Sequence, residues 1–356
     1  MKKTTVCFAA FAVLCLIAGM SVAFVFAWNV GILAAVLCIV GILFSFVFAP
    51  TVHEWGHITL AKTQKMRLIY TKFFCFKIAE KNGKLRFSFA SPFLAEQTQT
   101  LPVCGGNMKK RAEKYTAGGL IFGVASFLIF AAVAILLAVF DKSVAFFFFG
   151  LLPYTGYLFL LNAVPVCFAG GKTDALVLKG LKNGSDEEKV MLSAMQIFGE
   201  LSEGKSFSEI DEKYYFDLPV IAESLPVYAT ITDLRYRYKL EKGDLDGAAD
   251  EINRLAQLSE YMDGSGVEEV AAELSYMHTV FGDIERAKQA RKLCEKYLSS
   301  ELLAAKRINA AYFALTRQSE RADEEKKSFE RILAFERIVG KRKAEQILLT
   351  RETDGR

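Results

Sequence analysis

Four long apolar runs fill the first half of the chain, and nothing else in the sequence constrains the fold as strongly. A helix needs roughly 20 apolar residues to cross a bilayer. Runs of that kind lie at about 4–28, 30–62, 115–140 and 144–166, the second being apolar from Val30 to Ala49 and polar after it. No comparable run follows Lys172. With 52% hydrophobic residues over 356 positions, the chain is too apolar for an ordinary soluble protein of its length. The expected class is mainly α, a polytopic membrane core of about four spans. Ser21-Val22-Ala23 offers a small-x-small cleavage site in the first run. That run is longer than the roughly 7–15 apolar residues of a signal-peptide core, so a retained helix is expected.

Charge is divided unevenly. Residues 1–171 hold 15 Lys and Arg against 5 Asp and Glu, whereas the remainder holds 29 against 35. Most of the basic excess falls between Lys62 and Lys114, with 12 cations against 3 Glu, and the turns near Trp28-Asn29 and Asp141-Lys142-Ser143 carry almost no charge. Cationic loops remain on the cytoplasmic side of a membrane. A multi-pass protein of the cell membrane is therefore expected, with its amino terminus and everything after the fourth span in the cytoplasm and the second span running inward. The lysines face lipid phosphates in this reading, and no nucleic acid partner is expected. The seven cysteines are scattered without a CxxC pair, three of them (Cys7, Cys15, Cys38) in the first two spans. They read as small packing residues in a reducing environment, not as a disulfide framework.

Two further regions stand out. Residues 68–89 are rich in aromatic and β-branched types and are interrupted by Asn82-Gly83, a pair suited to a hairpin turn because both turn positions need positive φ. An interfacial β-hairpin is expected there; a solvated basic loop is the alternative. From about Ser185 the pattern is helical throughout, Ser185 and Glu188 having the form of a capping box. The phrases GDLDGA at 243–248, GDIERA at 282–287 and RQSERA at 317–322 recur at spacings that fit stacked helix pairs. The chain thus divides at about 182/183 into a membrane core, 1–182, and a cytoplasmic α-helical domain, 183–356. That domain is read as tetratricopeptide-like, with a plain bundle as the alternative, and it offers a surface for a protein partner.

Chemistry concentrates where the second apolar run ends, in His53-Glu54-Trp55-Gly56-His57. Residues four apart share one face of a helix, so His53 and His57 can hold one metal ion while Glu54 reaches the water beside it. Only three histidines occur in the chain, and two of them fall here. Ionisable groups at the end of a span are costly and usually functional, whereas interfacial histidines bonded to lipid headgroups are the bland alternative. Catalytic zinc takes three protein ligands and keeps one position for water, whose pKa falls to about 7. At a rise of about 1.5 Å per residue, His53 lies about 33 Å along its span from Val30, near the cytoplasmic face. Asp141 belongs to the opposite face and Glu80 to the hairpin turn. Asp174, just after the fourth span, is the attractive third ligand, and a helix N-cap is its alternative role.

These residues resemble the site-2 protease family of intramembrane zinc metallopeptidases. The resemblance covers about Val30 to Leu178 and rests on His53 to His57 together with Asn162, Pro165 and Asp174. It implies that His53, His57 and Asp174 bind Zn2+, that Glu54 is the general acid and base, and that Asn162 and Pro165 help hold the substrate as an extended strand. Gly118, Gly119 and Gly123 resemble the small-residue start of the family's middle span. The chain departs from the family in spacing, since Asp174 lies twelve residues after Asn162, with Gly170-Gly171 inserted and Ala175 following. The function expected is a zinc endopeptidase that cuts membrane-anchored proteins or peptides near the cytoplasmic face. The alternative is a non-catalytic receptor or scaffold on the same fold; a transporter has little support, the spans showing no repeat.

Overall fold

A computed structural model describes residues 3–81, 84–91, 97–102, 105–168, 171–262 and 264–354. The expected turn at Asn82-Gly83 lies outside the described residues. The chain is mainly helical and forms two compact units, one of residues 1–101 and 107–185, the other of 102–106 and 186–356.

Among the described residues four helices, all in the first unit, are long and apolar enough to cross a membrane: α1 (Lys3–Val30), α2 (Ile32–Thr63), α3 (Met108–Phe140) and α4 (Lys142–Ala163). Their surfaces are apolar outward, with Leu14, Phe26, Ile32, Leu43, Leu128 and Val139 all exposed. Such a surface suits a lipid environment, since the backbone polar groups are already satisfied within each helix. The boundaries correct the sequence expectation in places. One residue, Gly31, separates α1 from α2 with φ 147°, a conformation that L residues rarely adopt. Helix α3 begins seven residues early, where the Asn107 side chain accepts from Lys110 N and caps it. Helix α4 ends at Ala163, before Pro165. Asp141 caps the start of α4 by accepting from Ser143 N and Val144 N.

Helix α2 is the centre of this unit and packs on α1, α3 and α4. Missing side chains let it do so. A Cβ at Gly56 would fall on the Gly118 carbonyl and one at Gly118 on the Gly56 carbonyl, while between α2 and α4 a Cβ at Gly41 would fall on the Phe147 carbonyl and one at Gly150 on the Cys38 carbonyl.

Between α2 and α3 lies a four-stranded antiparallel sheet, β1 (Arg67–Phe73), β2 (Phe76–Lys81), β3 (Lys84–Phe89) and β4 (Gln97–Leu101), in the order β3-β2-β1-β4. The single hairpin expected over 68–89 is corrected to two linked hairpins, because the chain also reverses at Phe74, whose φ is 48°. Lys81 pairs with Lys84 at the end of the β2–β3 ladder. On β3, Leu85, Phe87 and Phe89 are exposed at alternate positions and so share one face. After α4, two short strands, β5 (Cys167–Phe168) and β6 (Gly171–Lys172), pair antiparallel before α5 (Asp174–Asn183).

The second unit is helical: α6 (Asp186–Ser202), α7 (Lys213–Phe216), α8 (Pro226–Lys242), α9 (Leu245–Gln257), α10 (Gly264–Val280), α11 (Ile284–Lys292), α12 (Glu295–Leu298), α13 (Leu303–Leu315), α14 (Ser319–Leu333) and α15 (Val339–Asp354). The recurring phrases are the turns of three packed helix pairs, α8–α9, α10–α11 and α13–α14. Gly243 and Gly282 end the first helix with positive φ, and Arg317 takes that place in the third turn. Asp244 and Asp283 then cap the next helix. The last residue of each phrase, Ala248, Ala287 or Ala322, is buried. Ion pairs lie within this unit, among them a fully buried Arg307, bonded to Glu273 at 2.9 Å and Glu345 at 2.6 Å, with its guanidinium 4.2 Å over the Tyr276 ring.

Candidate metal centre

The site starts from helix periodicity. His53 and His57 lie one turn apart on α2 and bring their Nε2 atoms to 3.2 Å, with the rings 82° apart. Both are buried, as is Glu54 between them in sequence. The close approach of α2 and α3 at Gly56 and Gly118 sets the rings against Gly119, where a Cβ would come within 2.6 Å of His57 Nε2 and 2.7 Å of His53 Nε2. One turn earlier on α3, the Tyr115 carbonyl accepts from His57 Nδ1–H at 2.9 Å. That bond fixes the tautomer and leaves the Nε2 lone pair facing inward, the usual arrangement for a metal-ligating histidine.

Asp174 meets the pair from α5. Its Oδ2 lies 3.3 Å from His53 Nε2 and 3.4 Å from His57 Nε2. The twelve-residue spacing from Asn162 is absorbed by the β5–β6 excursion, and Thr173 clips that excursion at both ends. The Thr173 hydroxyl donates to the Val164 carbonyl at 2.7 Å and accepts from Val166 N, and Thr173 N donates to the Val166 carbonyl. The same hydroxyl caps α5 by accepting from Leu176 N. Thr173, not Asp174, is therefore the N-cap, and the Asp174 carboxylate is left to the histidines. Its Oδ2 is buried with no hydrogen-bond partner among the described residues.

Two imidazole nitrogens and a carboxylate oxygen thus form a nearly equilateral triangle with edges of 3.2, 3.3 and 3.4 Å. Bonds of about 2.0–2.1 Å to tetrahedral zinc place neighbouring ligand atoms about 3.3 Å apart. The donor set suits zinc, and the buried, unbonded oxygen of Asp174 is what a metal ligand looks like without its ion. No family model, curated protein or solved structure matches the chain.

Glu54 is placed differently from Asp174. Its Oε2 accepts from the Thr98 hydroxyl on β4, and Thr98 Oγ1 lies 2.9 Å from Thr71 Oγ1 on β1. Thr98 also gives its carbonyl to the Tyr115 hydroxyl at 2.5 Å. Sequence reasoning missed Thr71, Thr98, Tyr115 and Thr173, all common residue types away from any motif. The alternation Gln97-Thr98-Gln99-Thr100 was the available signal for β4, since it puts β-branched residues on one face of a strand. Asn162 donates its amide to the Leu158 carbonyl at 3.1 Å within α4, and Pro165 is exposed just beyond that helix. Neither is brought into the triangle of ligand atoms.

Proposed function

We propose that the chain is a multi-pass membrane zinc endopeptidase of the site-2 protease type, with His53, His57 and Asp174 as zinc ligands and Glu54 as the general base and acid. The observation that carries the reading is the triangle of ligand atoms, two from α2 and one from α5, with edges that match a tetrahedral zinc site. Zinc supplies, when bound, the positive charge that polarises a peptide carbonyl and brings water near neutral acidity. The carboxylate of Glu54 takes the proton of the attacking water and returns it to the leaving amine. Carbonyls in a helix are tied into the hydrogen-bond ladder, so a spanning substrate must unwind before it is cut. Strand β4 is one of the two outer strands of the sheet and carries Thr98 against Glu54, which favours an unwound substrate adding to that edge as a further strand. Asn162 and Pro165, at the end of α4, are assigned to holding the same substrate.

The excess of Lys and Arg from Lys62 to Lys114 favours a cytoplasmic position for this loop and for the helical unit. In that orientation the exposed face of Leu85, Phe87 and Phe89 enters the membrane border while the lysines meet lipid phosphates. The helix pairs of the second unit suit a tetratricopeptide-like surface for a protein partner or a substrate tail. A receptor or scaffold without catalysis would use the same surface. Metal content separates the two: purified full-length protein should hold one zinc per chain, and Asp174→Ala should lose it. Protein that folds and inserts yet takes up no zinc would leave the scaffold as the reading.

A further inference from the structure

Two carboxylates lie within reach of one pair of imidazoles, yet a catalytic zinc centre needs only one of them as a ligand. The ligand-capable atoms of His53, Glu54 and His57 fall within 4.8 Å of one another, so Glu54 is close enough to occupy the position that water must take. What distinguishes it from Asp174 is a tether. Thr98 and Thr71 are cross-strand partners on β4 and β1, both buried. A hydroxyl has a single proton to donate. Thr98 gives its proton to Glu54 Oε2, so Thr71 is the donor in the 2.9 Å contact between the two hydroxyls. Tyr115 registers this strand against the metal ligands, since its hydroxyl holds the Thr98 carbonyl while its own carbonyl holds His57.

We infer that Thr98, backed by Thr71, holds the Glu54 carboxylate outside the metal's coordination shell and so keeps it a base instead of a fourth protein ligand. Thr98 is then a positioning residue, and the role rests on the zinc-peptidase reading above. Partners of this kind usually orient a ligand; here the partner restrains a group that would otherwise become one.

The test uses full-length protein loaded with cobalt(II), whose visible absorption reports coordination number. In wild type the bands should be those of a four-coordinate ion. Thr98→Val keeps the shape and removes the tether, so Glu54 should join the ion and the bands should shift and lose intensity. Thr98→Ser should restore the wild-type spectrum. In a Glu54→Gln background, Thr98→Val should leave the spectrum unchanged, because the carboxylate that moves is gone. Thr71→Val, one hydroxyl further from the ion, should give a smaller shift of the same kind and serves where Thr98→Val does not fold. A Thr98→Val spectrum identical to wild type, or a change that persists in the Glu54→Gln background, would overturn the inference and leave the zinc reading standing. Wild-type protein that takes up no cobalt would overturn both.

Discussion

Glu54 and Asp174 carry the same functional group and differ in what already occupies it. Glu54 accepts from a threonine hydroxyl, whereas the nearest oxygen of Asp174 has two imidazole nitrogens beside it and no hydrogen bond. An isosteric change separates the roles. Glu54→Gln keeps the shape and removes the proton acceptor, so the variant should retain zinc while cleavage of a membrane-anchored substrate falls by about 10²–10⁴-fold, the usual range for general acid-base catalysis. Zinc content and cleavage measured on the same preparation check it; a Glu54→Gln protein cutting at the wild-type rate would remove Glu54 from the mechanism.

Between elements, the proposed ligands are backed by a clip. Thr173 closes the β5–β6 excursion and caps α5, which fixes the direction in which Asp174 leaves the chain. Thr173→Val keeps the β-branch and loses the clip; zinc affinity should drop by about 10–100-fold, as it does when a group that orients a ligand is lost. Competition with a zinc chelator would measure it, and unchanged affinity would show that Asp174 is placed by something else. The same elements show what was legible beforehand. His53, Glu54 and His57 could be read because a helix turn is a local rule, and a spacing of four suffices. The nearness of Asp174 could only be anticipated from span topology, since a hairpin of unstated length intervenes. Thr98 was out of reach because its contact depends on strand pairing between β1 and β4. The fourth strand itself went unseen, as Gln97–Leu101 has a single apolar residue to mark a buried face. The turn phrases of the second unit were legible for a plainer reason, that Gly-Asp is both a helix stop and the next helix's cap.

Across the whole molecule, two kinds of polar interior coexist, one in each unit. The first gathers His53, His57, Glu54 and Asp174, of which Asp174 Oδ2 is buried without a hydrogen bond. The second pairs carboxylates with guanidiniums: Glu273 accepts from Tyr236 OH at 2.8 Å and from Arg307, and Arg237 also lies beside it. Burial pushes the Glu273 carboxyl up, but the guanidiniums of Arg307 and Arg237 outweigh this and hold it below its ordinary value of 4.5. A carboxylate with a depressed folded-state pKa adds stability that is complete above the unfolded value and is lost as pH falls through the folded one. Helices α10 and α13 should therefore loosen in acid, below about pH 4.5, by this contribution. Glu273→Gln should cost about 3 kcal/mol at neutral pH, because it strands buried Arg307 with one partner fewer, and should flatten the acid response. Hydrogen exchange in α10 and α13 across that pH range reads both effects. A variant as stable as wild type at pH 7 would show that Glu345 alone compensates Arg307.

The β5–β6 excursion sets how the chain tolerates changes of length. A hairpin grows by adding residues to both arms, and its base stays where it was. With Thr173 joining Val164 and Val166 at that base, insertions or deletions beyond it are close to neutral for the carboxylate that follows. A change in the count between the fourth helix and Asp174 should therefore leave the Asp174 carboxylate beside His53 and His57.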